Sequence, residues 1–552
     1  MKPGTRRWLY AALALGLMAA AGVRVEPIND MREAHDLVVA PLDVTASPGM
    51  VLPILMSVGR AVVVDYLWLR ATRLKDDGRY FDALQLSETI CKLEPRFAPV
   101  WAFHAWNMAY NISVTQETGE ERWRWVLNGI KLLRDEAIPI NPHDTQLYRE
   151  LAWIFFHKVA DYMDDQHWYY KNQFAISVED VLGPGGECDW EAMAAAPKAW
   201  DELAADERVT AFVQACRKYD ADVAEAGVLL GLLHQRAEAR RAETEPAEPA
   251  RIWSALDDPK HAQALKAVEY YWRARSLWES FRLDPKRVRD MRETFGPLDF
   301  RLAEAHALYW STLGAEMGTE RAVRLDIDRL NADRIALYSI QNMFRRGKLI
   351  MSPEANKSVP PLLLPDPRFV PTLDRLFRQI SERYVEDEPS GAEISMNFES
   401  AYRNFMRDAI TSYYEAGDRE AAQEWYDRVR ETFPDAELER DLDAYVVKAM
   451  LDQLVTPTIA QALHFVRNYV LQSFDLFAYG RQREGLNFLR LARMVYDKYQ
   501  ADVSWRNRLS ESFDDIVLQS LTVMKDRYRP EMYERLTRLF DQSKQAMDDP
   551  GG

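Results

Sequence analysis

Cysteine is nearly missing from this chain. Three are present in 552 residues, Cys91, Cys188 and Cys216, and no two form a C-x-x-C pair. Neither a disulfide framework nor a zinc-thiolate centre is signalled, and a chain this long buries enough apolar surface to fold without them. A single Cys188–Cys216 bridge stays open for an oxidising compartment. Cations are in deficit too: 70 Lys and Arg stand against 86 Asp and Glu, a net charge of -16. That balance argues against a nucleic-acid partner, because affinity for a phosphate backbone depends on clustered cations that release counterions. Strand-like alternation is scarce. The glycine-rich "GPGGE" at 183–187 lacks the Gly-Lys-Ser/Thr ending that cradles phosphates, so it reads as a hinge, and no nucleophile elbow appears. Nothing calls for a cofactor, and no convincing catalytic motif speaks for an enzyme.

Apolar and aromatic residues, by contrast, are plentiful. The chain is 47% hydrophobic with 16 Trp, 25 Tyr and 22 Phe, enough to offset the entropy of ordering and to make any disorder local. Lys2, Arg6 and Arg7 precede the uninterrupted apolar run from Trp8 to Val23, the cationic front and hydrophobic middle of an export signal. Both a cleaved signal, with Ala19 and Ala21 as the small-x-small site, and an uncleaved anchor fit; the anchor is favoured, with positive charge kept on the cytoplasmic side. The expected address is the bacterial cytoplasmic membrane, single-pass, with the bulk of the chain periplasmic; the alternative is a soluble periplasmic protein. A second apolar stretch, Met50 to Arg70, contains Arg60 and Asp65, which are expensive inside a bilayer, and Pro53 with Gly59 suggests two short helices. It reads as a buried leading helix.

Helical periodicity then takes over. "DYLWLRATRLKDD" places Leu67, Ala71 and Leu74 on one face before Gly78; "RYFDALQLSETICKL" places Ala83, Leu86, Ile90 and Leu93 on one face before Pro95. The pair predicts an antiparallel helical hairpin with a small residue, Ala83, at the crossing. The same offsets recur at Gly417, Ala422, Val429 and Pro434, with Tyr426 at an aromatic site. Trp101, Ala105 and Met108 begin the next hairpin, Tyr148, Ala152 and Phe155 a third, and a fainter copy runs from Ala478 to Tyr499 with Gly485 in place of the alanine.

This spacing resembles the tetratricopeptide repeat (TPR), and the resemblance implies an all-α fold of antiparallel helical hairpins forming a superhelical solenoid. The segments "VVVDYLWLRA", "FAPVWAFHAWNMAYNISV" and "GPLDFRLAEAHALYW" are also similar to a group of membrane-anchored bacterial TPR proteins. The chain divides into a signal or anchor at 1–24, a linker and leading helix at 25–61, TPR-like repeats at 62–183, an insertion with a flexible charged segment at 184–260, a helical region at 261–351, a Pro-rich connector at 352–395, and C-terminal TPR-like repeats at 396–552.

By the same resemblance, the first helices line a groove carrying Trp68, Lys75, Trp106, Tyr110, Arg149, Trp153 and His157. An extra helix from Met50 could instead cover these aromatics and make them core. A groove of this composition suits another protein or a peptide, and the leading expectation is an exported scaffold for protein–protein interaction. An envelope glycan or lipid-linked precursor is the alternative ligand. A metal-dependent enzyme is the third reading: in "HKVADYMDDQHWYY", His157 and Asp161 lie one turn apart, with Asp164, Asp165 and His167 following. That spacing matches no compact metalloenzyme signature, and an exposed acidic turn is the simpler account. His104, His143 and His306 are isolated and read as packed or surface residues.

Overall fold

The computed structural model describes residues 57–241, 250–319, 327–351, 361–387, 391–434, 441–452, 459–502 and 511–548, with a few isolated positions besides. The protein is all-α. Among the described residues the only strands are Lys348–Ile350 and Leu362–Leu364, an antiparallel pair with Leu349 opposite Leu363. The expected signal or anchor at 1–24 and most of the linker after it lie outside the described residues. No described helix is long and apolar enough to cross a membrane. Residues Leu67–Gly552 form one unit and those up to Tyr66 another.

The helix at Ser57–Asp76 runs unbroken through Gly59, where a break was expected. It ends at Gly78, whose φ of 75° is left-handed and suits glycine. There the N–H of Gly78 reaches the carbonyl of Lys75, and the N–H of Arg79 reaches that of Leu74. The same pair of bonds closes the helices before Gly417 (to Tyr414 and Tyr413) and Gly480 (to Phe477 and Leu476). In the helices that follow, Ala83 and Ile90, and likewise Ala422 and Val429, are completely buried. Tyr426 is buried and donates to the carbonyl of Glu439. The Pro95 carbonyl accepts from Trp101 Nε1 at 2.8 Å and Asn141 Nδ2 at 3.0 Å, stapling the end of one hairpin to the next. Exposed Pro434 follows Phe433, whose N–H closes the last helical bond to Val429.

Small residues also set the deeper packing. Ala105 is fully buried, and a Cβ on Gly129 would meet its carbonyl at 2.8 Å. A Cβ on Gly318 would lie 2.5 Å from Thr145 Oγ1, and one on Gly314 would fall onto Tyr148. The Ala303–Thr319 helix therefore lies backbone-close on Thr145–Trp153. Within this layer His306 is enclosed by Phe155, Phe174, Phe281 and Phe300, with ring centroids 4.7–5.8 Å away.

Within 184–260, read from sequence as an insertion with a flexible segment, described residues between 203 and 256 build a small core of their own. Phe212, Val213, Cys216, Val223 and Ile252 pack there against Val268, Tyr271 and Trp272 of the Ala262–Phe281 helix. Of the charged stretch, residues 242–249 lie outside the described part. Cys91, Cys188 and Cys216 are all free thiols, so the Cys188–Cys216 bridge is absent. The Pro-rich stretch is partly ordered into helix: Val370–Asp387 has Pro371 in its first turn, where a missing N–H costs nothing.

Candidate functional site

Among the described residues, three helices contain a turn of π-helix: Asn107–Ile112 after Ala98–Trp106, Leu132–Ala137 after Gly119–Lys131, and Ile154–Val159 after Thr145–Trp153. Each π turn inserts an extra residue into the 3.6-residue period and so redirects the side chains beyond it; such turns are frequent at functional sites. Tyr110 sits in the first and His157 in the third.

The redirection brings them together. Tyr110 Oη lies 3.3 Å from His157 Nδ1. On one side Trp106 stacks on Tyr110 at 5.3 Å and 24°. On the other, Trp153 stacks on His157 at 4.7 Å and 13°. The series continues from Trp153 to Phe156 at 6.0 Å and from Phe156 to Tyr338, on the Ile327–Arg346 helix, at 6.4 Å. Trp106 is 38% exposed and Tyr338 47% exposed; Tyr110, Trp153, Phe156 and His157 are half-buried. The aromatics are thus neither filled in as core nor isolated on the surface. They form one row of rings crossing three helices.

Trp68 and Lys75 belong to a neighbouring cluster. Trp68 meets Phe97 and Phe103 edge-on at 5.8 and 5.0 Å, and Lys75 lies over Phe103 at 5.9 Å while pairing with Asp76. Phe103, one turn before Trp106, is carried on the same helix as the row. Arg149 is tied to Glu150.

Beneath the row is a buried charge pair. Lys158, next to His157 in the π turn, bonds Asp164 at 2.5 Å and lies 5.3 Å from the Tyr110 ring. Asp164 also accepts from the Gln166 N–H and faces Arg122 at 3.5 Å. Burial raises its carboxyl, but the bonds from Lys158 and the Gln166 N–H outweigh this and hold it below the usual range. The turn expected to be an exposed acidic loop therefore has Asp164 inside the protein; Asp165 remains exposed and pairs with Arg122.

The constellation considered for metal does not converge. His167 Nδ1 faces Lys171 Nζ at 3.0 Å, Asp164 and Asp165 are engaged by cations, and His157 turns to Tyr110. No group of three or more His, Cys, Asp or Glu among the described residues is placed to hold a metal ion. Burial pushes His167 down to about 4 and lowers His157. His306 and His104 are packed, while His143 is half-buried.

Chemically, the row offers flat apolar faces with one polar pair, Tyr110 and His157, at its middle. The repeat resemblance pointed to Trp106, Tyr110, Trp153 and His157 but not to Phe103, Phe156 or Tyr338. Phe103 was within reach of helical spacing. Phe156 was hidden by the π turn, and Tyr338 comes from a helix far along the chain. No protein-family model, curated protein or solved structure matches this chain, so its own residues carry the functional reading.

Proposed function

We propose that this chain is an exported, membrane-anchored scaffold of TPR-like hairpins stacked as a solenoid, which binds another protein or a peptide across the aromatic row. The row from Trp106 to Tyr338 carries the reading. Partly exposed Trp and Tyr bury much area at modest entropic cost and dominate binding energy where they meet a partner. The matching turns at Gly78, Gly417 and Gly480 support the repeat reading, and the cationic front with the Trp8–Val23 run supports the address.

The test is a pull-down from membrane fractions with full-length protein and with the double variant Trp106→Ala, Trp153→Ala. Loss of the co-purifying proteins, with helical content unchanged, is the expected result. An unchanged partner list overturns the proposal. The near-parallel rings of the Trp106–Tyr110 and Trp153–His157 pairs also favour a second reading, an envelope glycan or lipid-linked precursor stacking on them. That ligand would survive protease treatment of the membrane fraction, whereas a protein partner would not.

A further inference from the structure

A cavity of about 1030 Å³ lies away from the aromatic row. It is lined by the glycine turn at 183–186, the Pro285–Phe295 helix and the loop after it, the Lys348–Ile350 and Leu362–Leu364 hairpin, the end of Gly391–Glu415 and the start of Gln482–Asp502. Its volume is that of a small-molecule site, on the order of 300–1,000 Å³.

The wall is fixed. Gly183, Gly185 and Gly186 all have positive φ, and a Cβ on Gly186 would lie 2.5 Å from Arg301 Nε. A Cβ on Gly183 would meet the Arg273 guanidinium at 3.1 Å. The turn that sequence suggested as a hinge is pinned by these two arginines.

Most charges in the lining are already neutralised. Arg301 is held by Asp299 and Glu179, Arg368 by Asp366, and Lys348 by Glu484. Among the lining cations Arg292 and Arg481 are the exceptions, since neither makes an ion pair among the described residues; of the lining carboxylates, exposed Glu187 and half-buried Glu415 make none either. Arg292 is half-buried and donates to the Leu298 carbonyl, and burial lowers its pKa although Asp299 and Glu187 lie close enough to act the other way; a partly desolvated guanidinium with no direct ion pair gains from an anion that reaches it.

Hydrogen-bonding groups are similarly unfilled. Ser412 lines the cavity, is 4% exposed, and its hydroxyl has no partner. Buried polar groups are almost always bonded, so this one is an exception that a ligand would resolve. One turn on, Glu415 accepts from Tyr469 Oη at 2.9 Å, and burial pushes its carboxyl up to about 7. Near neutral pH it is shared between a form that donates a hydrogen bond and one that does not.

We propose that this cavity binds a small hydroxylated organic anion, its charged group meeting the unpaired Arg292 and Arg481 and its hydroxyls meeting Ser412 and Glu415. The anionic group can be a carboxylate, as in a sugar acid, or a phosphate, as in a phosphorylated sugar.

Isothermal titration of the full chain with gluconate, glucose 6-phosphate, glucose and inorganic phosphate tests this and separates the two sources. At least one anionic hexose should bind about tenfold or more tightly than both glucose and inorganic phosphate. Arg292→Gln and Arg481→Gln should each weaken it by about tenfold, the loss expected for one charged hydrogen bond, and Ser412→Ala by less. Arg481 is exposed, so its variant keeps the test open if Arg292→Gln fails to fold. Binding of neither anionic hexose below about 1 mM, or affinity unchanged in the Arg481 variant, overturns the proposal.

Discussion

His306 shows how far one residue can be read from both ends. In sequence it is an isolated histidine and reads as packed; in the fold it is fully buried, with Nε2 3.0 Å from the Phe300 carbonyl. Burial pushes it down to about 3 from an ordinary value near 6.5. Between those values the folded state binds fewer protons than the unfolded chain. Its contribution to stability is therefore complete above pH 6.5 and is lost as pH falls toward 3, at up to about 1.4 kcal/mol per pH unit. His104, pushed to about 4 by burial, acts with the same sign. Glu415, raised to about 7, acts with the opposite sign, so the comparison must be between variant and parent. His306→Gln, which cannot take up the proton, should give a flatter curve of denaturation midpoint against pH between 6.5 and 4. Parallel curves would show that His306 does not govern the acid response. Gly485 makes a related point. It departed from the expected alanine because a Cβ there would lie 2.9 Å from the Phe477 ring, so the departure is tighter packing at the same crossing.

At the scale of the element, the hairpin ends were legible and the helix interiors were not. Gly78 and Gly417 announced their turns because the left-handed conformation restricts the residue that can occupy it. Gly417 has φ 81° with room around it, since a Cβ added there would come no closer than 3.6 Å to its nearest neighbour, Asn487 Nδ2. Gly417→Ala should therefore cost only the backbone conformation, about 1–2 kcal/mol in chemical denaturation. A loss below about 0.5 kcal/mol would mean that the turn relaxes to another conformation and does not fix the hairpin. The π turns had no such announcement. An extra residue within a helix leaves composition and capping untouched and shows only as a drift in which residues share a face. That drift is why the repeat pattern pointed to four of the six rings of the aromatic row and missed Phe156. The satellite core between 203 and 256 escaped for another reason: its helices are short, and Glu207–Arg217 completes its apolar face against Ala250–Leu256 and Ala262–Phe281, which follow later in the chain.

Across the whole chain, the features hardest to foresee are those built from distant segments, as with the cavity that gathers Glu179, Arg301, Asp366 and Glu415. The Ala262–Phe281 helix joins two such assemblies. Toward the satellite core it presents Val268, Tyr271 and Trp272, the last donating from Nε1 to the Val223 carbonyl at 3.0 Å. Toward the layer behind the aromatic row it presents Phe281, whose ring meets Phe174 and His306, while Arg273 donates to the Val181 carbonyl. His306 in turn meets Phe155, two residues before His157. A helix packed on both sides couples the stability of the two cores, because losing either leaves half its apolar surface in water. Phe212, completely buried in the satellite core, is the place to test this. Phe212→Ala removes a large buried ring and should cost about 3–5 kcal/mol. If the cores are coupled, heating this variant gives one transition at a lower temperature, with tryptophan fluorescence and the helical signal shifting together. Independent cores would give two steps, the satellite melting first while the aromatic row keeps its parent midpoint, and that outcome would refute the coupling.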